Sequence, residues 1–377
     1  MSPARKILFA VHDWGLGHAT RSLLLINALI ERGDAVTVLM APGPGLDLLR
    51  SELRNACEFI EERDIPKPFS RHPAIFYLRM SLDMPRVFAL FRREQKLTEK
   101  LVSRRGFDCI VSDSRFGVWS REVPSFCILH SLRQLVPFRL RWLEREVERG
   151  QWRLLRGFAQ ILVPDAEADG GISGELGHDP AIDWGMNRLC YIGPLSGVQR
   201  MDVPEDIDCF FSISGVEPHQ SMLTERVLAA LPKLGGRIVV TLGKPQQAGE
   251  VRTIDSAQVH GYLDRRAQTE MLNRARVVVT RSGYTTLMEL ANLGKRALFV
   301  PTPGQSEQEY LARFHRERGH VWSSAQKELD IPRDLLRAEA ASGMPLIGSA
   351  QSVRNFLAAI DRPVAAPRAA AAARART

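Results

Sequence analysis

Cysteine is scarce and scattered. Cys57, Cys109, Cys127, Cys190 and Cys209 form no CxxC pair and no short metal-ligand spacing, which argues against a disulfide framework or a zinc site and for a reduced, cytoplasmic protein. Long apolar runs are also missing. Met1 to Arg5 leads straight into a short strand-like segment, Ile7 to Val11, without the extended hydrophobic stretch of a signal peptide or membrane span, so neither export nor spanning is expected. No Asp-x-Asp-like pair suited to a divalent ion stands at the end of a predicted strand, so no metal and no cofactor are expected. Gly243-Lys244-Pro245 lacks the glycine spacing and the following Ser or Thr of a phosphate loop, which excludes a nucleoside triphosphatase.

What is present fits an ordinary soluble chain of more than one core. The 377 residues are 45% apolar and 25% charged, and a length of this order is more than one hydrophobic core usually organises. The formal net charge of +8 points to an anionic partner: nucleic acid, a phosphorylated ligand or an acidic membrane surface. Arg133, Arg139, Arg141, Arg145, Arg149, Arg153 and Arg156 are interleaved with Phe138, Trp142 and Trp152 in what reads as helix. Such a segment is either a basic, aromatic-bearing face for peripheral contact with an anionic membrane or a solvated face with ordinary core aromatics.

Apolar strand-like runs alternate with helical spacing through both halves. Ile7 to Val11, a Gly15-Leu16-Gly17 turn, a helix over Ala19 to Arg32 and a strand over Val36 to Met40 make a parallel crossover unit. Further strands are expected at Cys109 to Ser112, Phe126 to Leu129 and Ala159 to Val163, and then at Cys209 to Ile213, Ile238 to Leu242, Val277 to Thr280 and Ala297 to Val300. The stretch from Tyr191 through Pro204 is polar and turn-rich, as a linker is. The expected organisation is α/β, with two Rossmann-like doubly wound domains facing across a cleft: residues 1–195, residues 196–362, and a disordered Ala/Arg/Pro tail at 363–377.

Two strand-to-helix turns carry chemistry. At the first, Gly15 and Gly17 permit close backbone approach, the helix start offers N–H groups to an anion, and His18 adds a titratable imidazole. At the second, Arg281 to Thr286 follow a buried strand. Gly283 and the hydroxyls of Ser282, Thr285 and Thr286 cluster at a helix start, chemistry suited to a diphosphate, and Glu289 lies about one turn further on. Each turn also reads as a plain capped helix start.

The stretch GLGHATR at 15–21, with RSGYTTLMELANLGKRALFVPTPGQSEQEY at 281–310, resembles the family-28 (MurG-like) glycosyltransferases of the GT-B fold. The resemblance implies a UDP-sugar donor held by the second half. Tyr262 would pack on uracil and Leu263 would read its edge through the backbone. Glu289 would take the ribose diol, Ser282 to Thr286 the diphosphate, and Gln308 with Glu309 the sugar hydroxyls, with Arg281 also among the substrate-binding residues. A turn containing Ser214 and Gly215 would close over the phosphates, although it reads Ile-Ser-Gly-Val-Glu-Pro where the family is glycine-rich. The acceptor half resembles the family only through its first helix, so the acceptor, lipid-linked or glycan, is not inherited.

Inverting transfer requires a base for the acceptor hydroxyl. His18, Asp113 and His130 each follow a predicted strand of the first domain. His18 is the first choice, with Asp113 as its orienter or as an alternative base. A nucleotide-sugar hydrolase on the same fold, with water as acceptor, is the competing enzyme reading. A basic nucleic-acid-binding protein would leave the donor residues without purpose, so no nucleic-acid partner is expected.

Overall fold

A computed structural model describes residues 4–13, 16–64, 73–135, 141–180, 182–185 and 188–362. Gly15, Phe138, Arg139 and the 363–377 tail lie outside them. The chain divides into two compact units, one comprising residues up to Gly197 together with those from Ser349 onward, the other Val198–Gly348.

The first unit is built on β1 (Lys6–Val11), α1 (Leu16–Arg32), β2 (Ala35–Met40), α2 (Pro44–Leu53), β3 (Glu58–Glu61), α3 (Pro73–Arg105), β4 (Cys109–Asp113), β5 (Ser125–Ile128), α4 (Arg141–Leu155), β6 (Gln160–Val163), a single-turn α5 (Glu175–His178) and β7 (Leu189–Tyr191). Its seven strands are all parallel, in the order β3-β2-β1-β4-β5-β6-β7. The central strands are buried on both faces, as their unbroken apolar runs require in a parallel sheet covered by helices.

The second unit runs β8 (Ile207–Ser212), α6 (His219–Ala230), β9 (Ile238–Thr241), β10 (Val251–Ile254), β11 (Ala257–His260), α7 (Arg265–Arg274), β12 (Ala275–Thr280), α8 (Tyr284–Leu293), β13 (Arg296–Phe299), α9 (Ser306–Glu317), β14 (Trp322–Ser323) and α10 (Ile331–Glu339). The strand order is β10-β11-β9-β8-β12-β13-β14, parallel except for the β10–β11 hairpin. Side chains of Asp264 and Asp330 accept from Ala267 N and Arg333 N and so start α7 and α10. Gly294, at φ +68, ends α8 in the left-handed conformation that costs glycine nothing.

The last helix, α11 (Ser349–Asp361), expected from sequence in the second domain, belongs to the first unit. Phe356, Ala359 and Ile360 are buried, Ser349 Oγ accepts from Ser196 N at 3.0 Å, and Asp361 pairs with Arg5 and Arg32 beside α1.

The arginine-rich segment also differs from its reading as one basic face. Arg133 is not solvated. Its guanidinium is buried among Glu144 (3.2 Å), Glu175 (3.1 Å) and Asp179 (2.9 Å). Trp152 packs against the Leu155, Phe158 and Ile161 cluster, with Arg188 5.8 Å over its ring. Exposed cations remain at Arg145, Arg149, Arg153 and Arg156. No described helix is long and apolar enough to cross a membrane.

Candidate active site

In an open α/β sheet, ligands gather outside the carboxyl ends of strands where the order reverses direction. In the first unit that point lies between β1 and β4, because β2 and β3 extend the sheet to one side and β4 to β7 to the other. His18, in the first turn of α1, and Asp113, the last residue of β4, meet there across 95 positions of sequence, with Nδ1 3.0 Å from Oδ1. Ser114, directly after, holds φ +61, a left-handed conformation unusual for serine.

Asp113 is fully buried and saturated with donors. Arg21 donates to both of its oxygens, Nε at 2.8 Å to Oδ2, and Ser22 Oγ donates to Oδ2 at 2.9 Å. Burial alone would raise this carboxyl, but the charges of Arg21 and His18 and the hydrogen bonds from both hold it well below the usual carboxylate range. Arg21 Nη2 also lies 3.0 Å from His18 Nδ1. Nη2 carries two N–H groups and gives one of them to Asp113. With the His18 proton on Nδ1, facing Asp113, Nε2 is the lone-pair nitrogen. Burial, then the Arg21 charge, push the imidazole down to about 4 against the pull of Asp113, so it is neutral at pH 7.

A second imidazole–carboxylate pair adjoins the first. His12, just past β1, has Nδ1 2.6 Å from Asp64 Oδ2, which also accepts from Asp13 N at 2.8 Å. The His12 and His18 rings meet edge to face with centroids 5.2 Å apart. Asp64 is carried by a segment that Arg115 holds through the carbonyls of Glu62 and Arg63, while Arg115 itself pairs with buried Glu94 of α3. His130 stands elsewhere on the sheet edge, past β5 and beside the Leu176–Gly177 turn.

The reversal in the second unit lies between β8 and β12. Arg281, past β12, donates to the carbonyls of Ser214 (3.2 Å) past β8, His219 (2.9 Å) at the start of α6, and Val300 (2.9 Å) and Pro301 (3.3 Å) past β13. It thereby ties three strand ends together. Among the described residues no carboxylate pairs with it, and burial lowers its guanidinium to about 10.

Gly283 precedes α8 with no side-chain cap, and a Cβ there would meet nothing nearer than Gln308 Nε2 at 4.0 Å, so the space beside the helix start is open. Thr285 and Thr286 are half-buried in that turn. Ser282 is spoken for, its hydroxyl donating to Gln308 O at 2.7 Å. Gln308 Oε1 accepts from Thr302 N and Glu309 Oε1 from Gly304 N, so both side chains also brace the turn they belong to. Tyr262 is half-buried and Leu263 buried past β11. Burial pushes the Glu289 carboxyl up to about 7, with Arg265 pulling it back only in part.

Residues 219–340 match the model of the glycosyltransferase family 28 C-terminal domain. The second unit carries a family-28 domain. Over 105 residues the chain is 30% identical to a transferase of Histophilus somni (strain 129Pt) named UDP-N-acetylglucosamine--N-acetylmuramyl-(pentapeptide) pyrophosphoryl-undecaprenol N-acetylglucosamine transferase. That match takes in 28% of this chain and 29% of the relative's length. Acinetobacter baumannii MurG superposes with a TM-score of 0.57 at 15% identity over 96% of this chain and all of that one. Arabidopsis thaliana UGT89C1, complexed with UDP-L-rhamnose, does so with a TM-score of 0.58 at 17% identity over 100% of this chain and 99% of that one. Likeness at this level is one of fold: the family-28 domain and the unit before it are the two parallel-sheet domains of a GT-B glycosyltransferase fold.

Arg21, Ser22, His12 and Asp64 were not singled out from sequence. Arg21 carried a signal, since it lies three residues after His18 and so on the same helix face. Asp64 follows a short edge strand and carried none.

Proposed function

We propose that this chain is a glycosyltransferase moving a hexose or N-acetylhexosamine from a UDP-sugar to a hydroxyl of a lipid-linked or glycan acceptor, with inversion and without a metal ion. The observation that carries the reading is the α8 start, with no side-chain cap, beside Arg281, a guanidinium with no carboxylate partner among the described residues, at the β8/β12 reversal of the unit that holds the family-28 match. Helix dipole and guanidinium together favour a diphosphate there. His18 Nε2 would take the proton as the acceptor oxygen attacks the anomeric carbon and the bond to the diphosphate breaks. Asp113 would hold the imidazole in the required tautomer and stabilise the imidazolium. Tyr262 and Leu263 would bind uracil, and Gln308 and Glu309 would meet the sugar hydroxyls while bracing their own turn. Release of UDP measured with and without candidate acceptors tests the reading. Acceptor-independent release would make the protein a hydrolase, and none under any condition would reject both.

Glu289 is assigned the ribose hydroxyls, which needs the ionised carboxylate. With its carboxyl at about 7, ionisation rises from a small fraction at pH 6 to most of the population at pH 8, so UDP affinity should strengthen by up to about tenfold over that interval. Glu289→Gln should flatten the dependence, apart from the titration of UDP itself. Glu289→Ala should weaken UDP binding by about 1–3 kcal/mol. Calorimetry that finds the same pH profile for wild type and Glu289→Gln removes Glu289 from the site.

We also assign the protein a cytoplasmic location with peripheral contact through Arg145, Arg149, Arg153 and Arg156, each contributing about 1 kcal/mol near an anionic surface before screening. Vesicles of acidic lipid should co-sediment the protein at low ionic strength and release it as salt rises. Failure to co-sediment even at low salt would make these arginines an ordinary solvated face.

A further inference from the structure

Three neighbouring strand ends in the second unit converge. Past β8 lies Gly215 at φ +122, past β12 Arg281, and past β13 Thr302. A Cβ at Gly215 would stand 3.5 Å from Arg281 Nε and 3.7 Å from Thr302 Oγ1, so the missing side chain leaves room against a guanidinium and a hydroxyl. Both are built in: Arg281 and Thr302 are each 2% exposed. The guanidinium has carbonyl partners but no counter-charge among the described residues. The Thr302 hydroxyl is buried with no hydrogen-bond partner, although its backbone N–H is fixed by Gln308 Oε1 at 2.8 Å. Leaving such a hydroxyl unsatisfied is costly, whereas valine would fill the same volume at no polar cost.

We propose that Thr302 is a donor-binding residue, its hydroxyl donating a hydrogen bond to the terminal phosphoryl group of a nucleoside diphosphate lodged at Gly215 beside Arg281. The inference rests on the donor-site reading above and extends it to a residue that reading does not use. The order of the sheet says which phosphoryl group. Base-binding Tyr262 and Leu263 follow β11, the diphosphate-binding turn follows β12, and Gln308 and Glu309 lie on α9 beyond β13. A nucleotide-sugar laid along this edge passes Thr302 between its first phosphoryl group and its sugar. The chemistry is complementary: a desolvated cation and one free hydroxyl donor suit a phosphoryl oxygen, which accepts from both.

The test compares UDP and UMP as probes, by calorimetry on the full chain, for wild type, Thr302→Val and Thr302→Ser. Thr302→Val should weaken UDP by about tenfold, the loss of one hydrogen bond to an anion, leave UMP affinity unchanged, and keep or raise the urea midpoint because an unsatisfied hydroxyl is removed. Thr302→Ser should bind UDP like wild type. Unchanged UDP affinity in Thr302→Val overturns the proposal, as does an equal loss for UMP. Failure of wild type to bind UDP at all overturns the donor-site reading itself, so the two failures are distinguishable.

Discussion

His18→Ala is expected to reduce turnover by about 10²–10⁴-fold while UDP affinity and the unfolding midpoint stay near their wild-type values. The magnitude is that of losing a positioned base. The selectivity follows from position, because His18 stands at the carboxyl edge of the first sheet whereas the residues assigned to UDP belong to the other unit. A packing histidine would behave oppositely, altering stability more than chemistry. The imidazole must be unprotonated to act, and burial with the Arg21 charge places it at about 4. The acid limb of kcat/KM should therefore fall near that pH, well below the ordinary histidine range. Turnover close to normal in the variant would move the search to His130, since Asp113 is already committed to Arg21.

Asp113→Asn should destabilise the protein by about 3–5 kcal/mol at pH 7, as is usual when one partner of a buried ion pair is removed and the other is left uncompensated. Arg21 is 2% exposed, and both Asp113 oxygens receive its donors. The carboxyl is depressed in the folded state, so its contribution is fully present above the unfolded value of about 3.9 and is lost as pH falls below that toward the folded value. The asparagine variant should lose the corresponding part of the wild-type slope in that acidic window. Replacing Arg21 by Met in the same chain should recover part of the loss, because the orphaned cation goes with it. Urea titrations showing a loss under about 1 kcal/mol for Asp113→Asn would mean that the pair is not the anchor described.

Much of this framework could be read in advance where physics acts locally. β1, β4, β12 and β13 carry buried apolar stretches, Ile7–Val11, Cys109–Val111, Val277–Val279 and Ala297–Phe299, as strands covered on both faces do. β3, β7 and β14 are short and only partly buried, and the β10–β11 hairpin pairs an exposed strand with a half-buried one, so their composition differs little from loop. His18 and Asp113 could be named because each follows a strand, and the β1/β4 reversal then joins them. Arg133 misled for the opposite reason. The residues that follow it at 139, 141 and 145 are arginines, while two of its acidic partners, Glu175 and Asp179, start and cap the distant helix α5. The double use of Gln308 was likewise invisible, since only the folded turn shows that its amide oxygen is occupied.

The path of the chain has a consequence for synthesis. Because α11 packs with the first unit, that unit is made of two separated stretches of the chain and residues 198–348 form an uninterrupted insert between them. A ribosome delivers residues 198–348 as one continuous block that can close on itself as it emerges, whereas the first unit lacks α11, with its buried Phe356 and Ile360, until that block has been made. The stretch translated before the insert is therefore completed only after it, and a chain cut short after Gly348 would retain every residue of the assigned donor site while lacking the helix whose Asp361 pairs with Arg5 and Arg32 of the first unit.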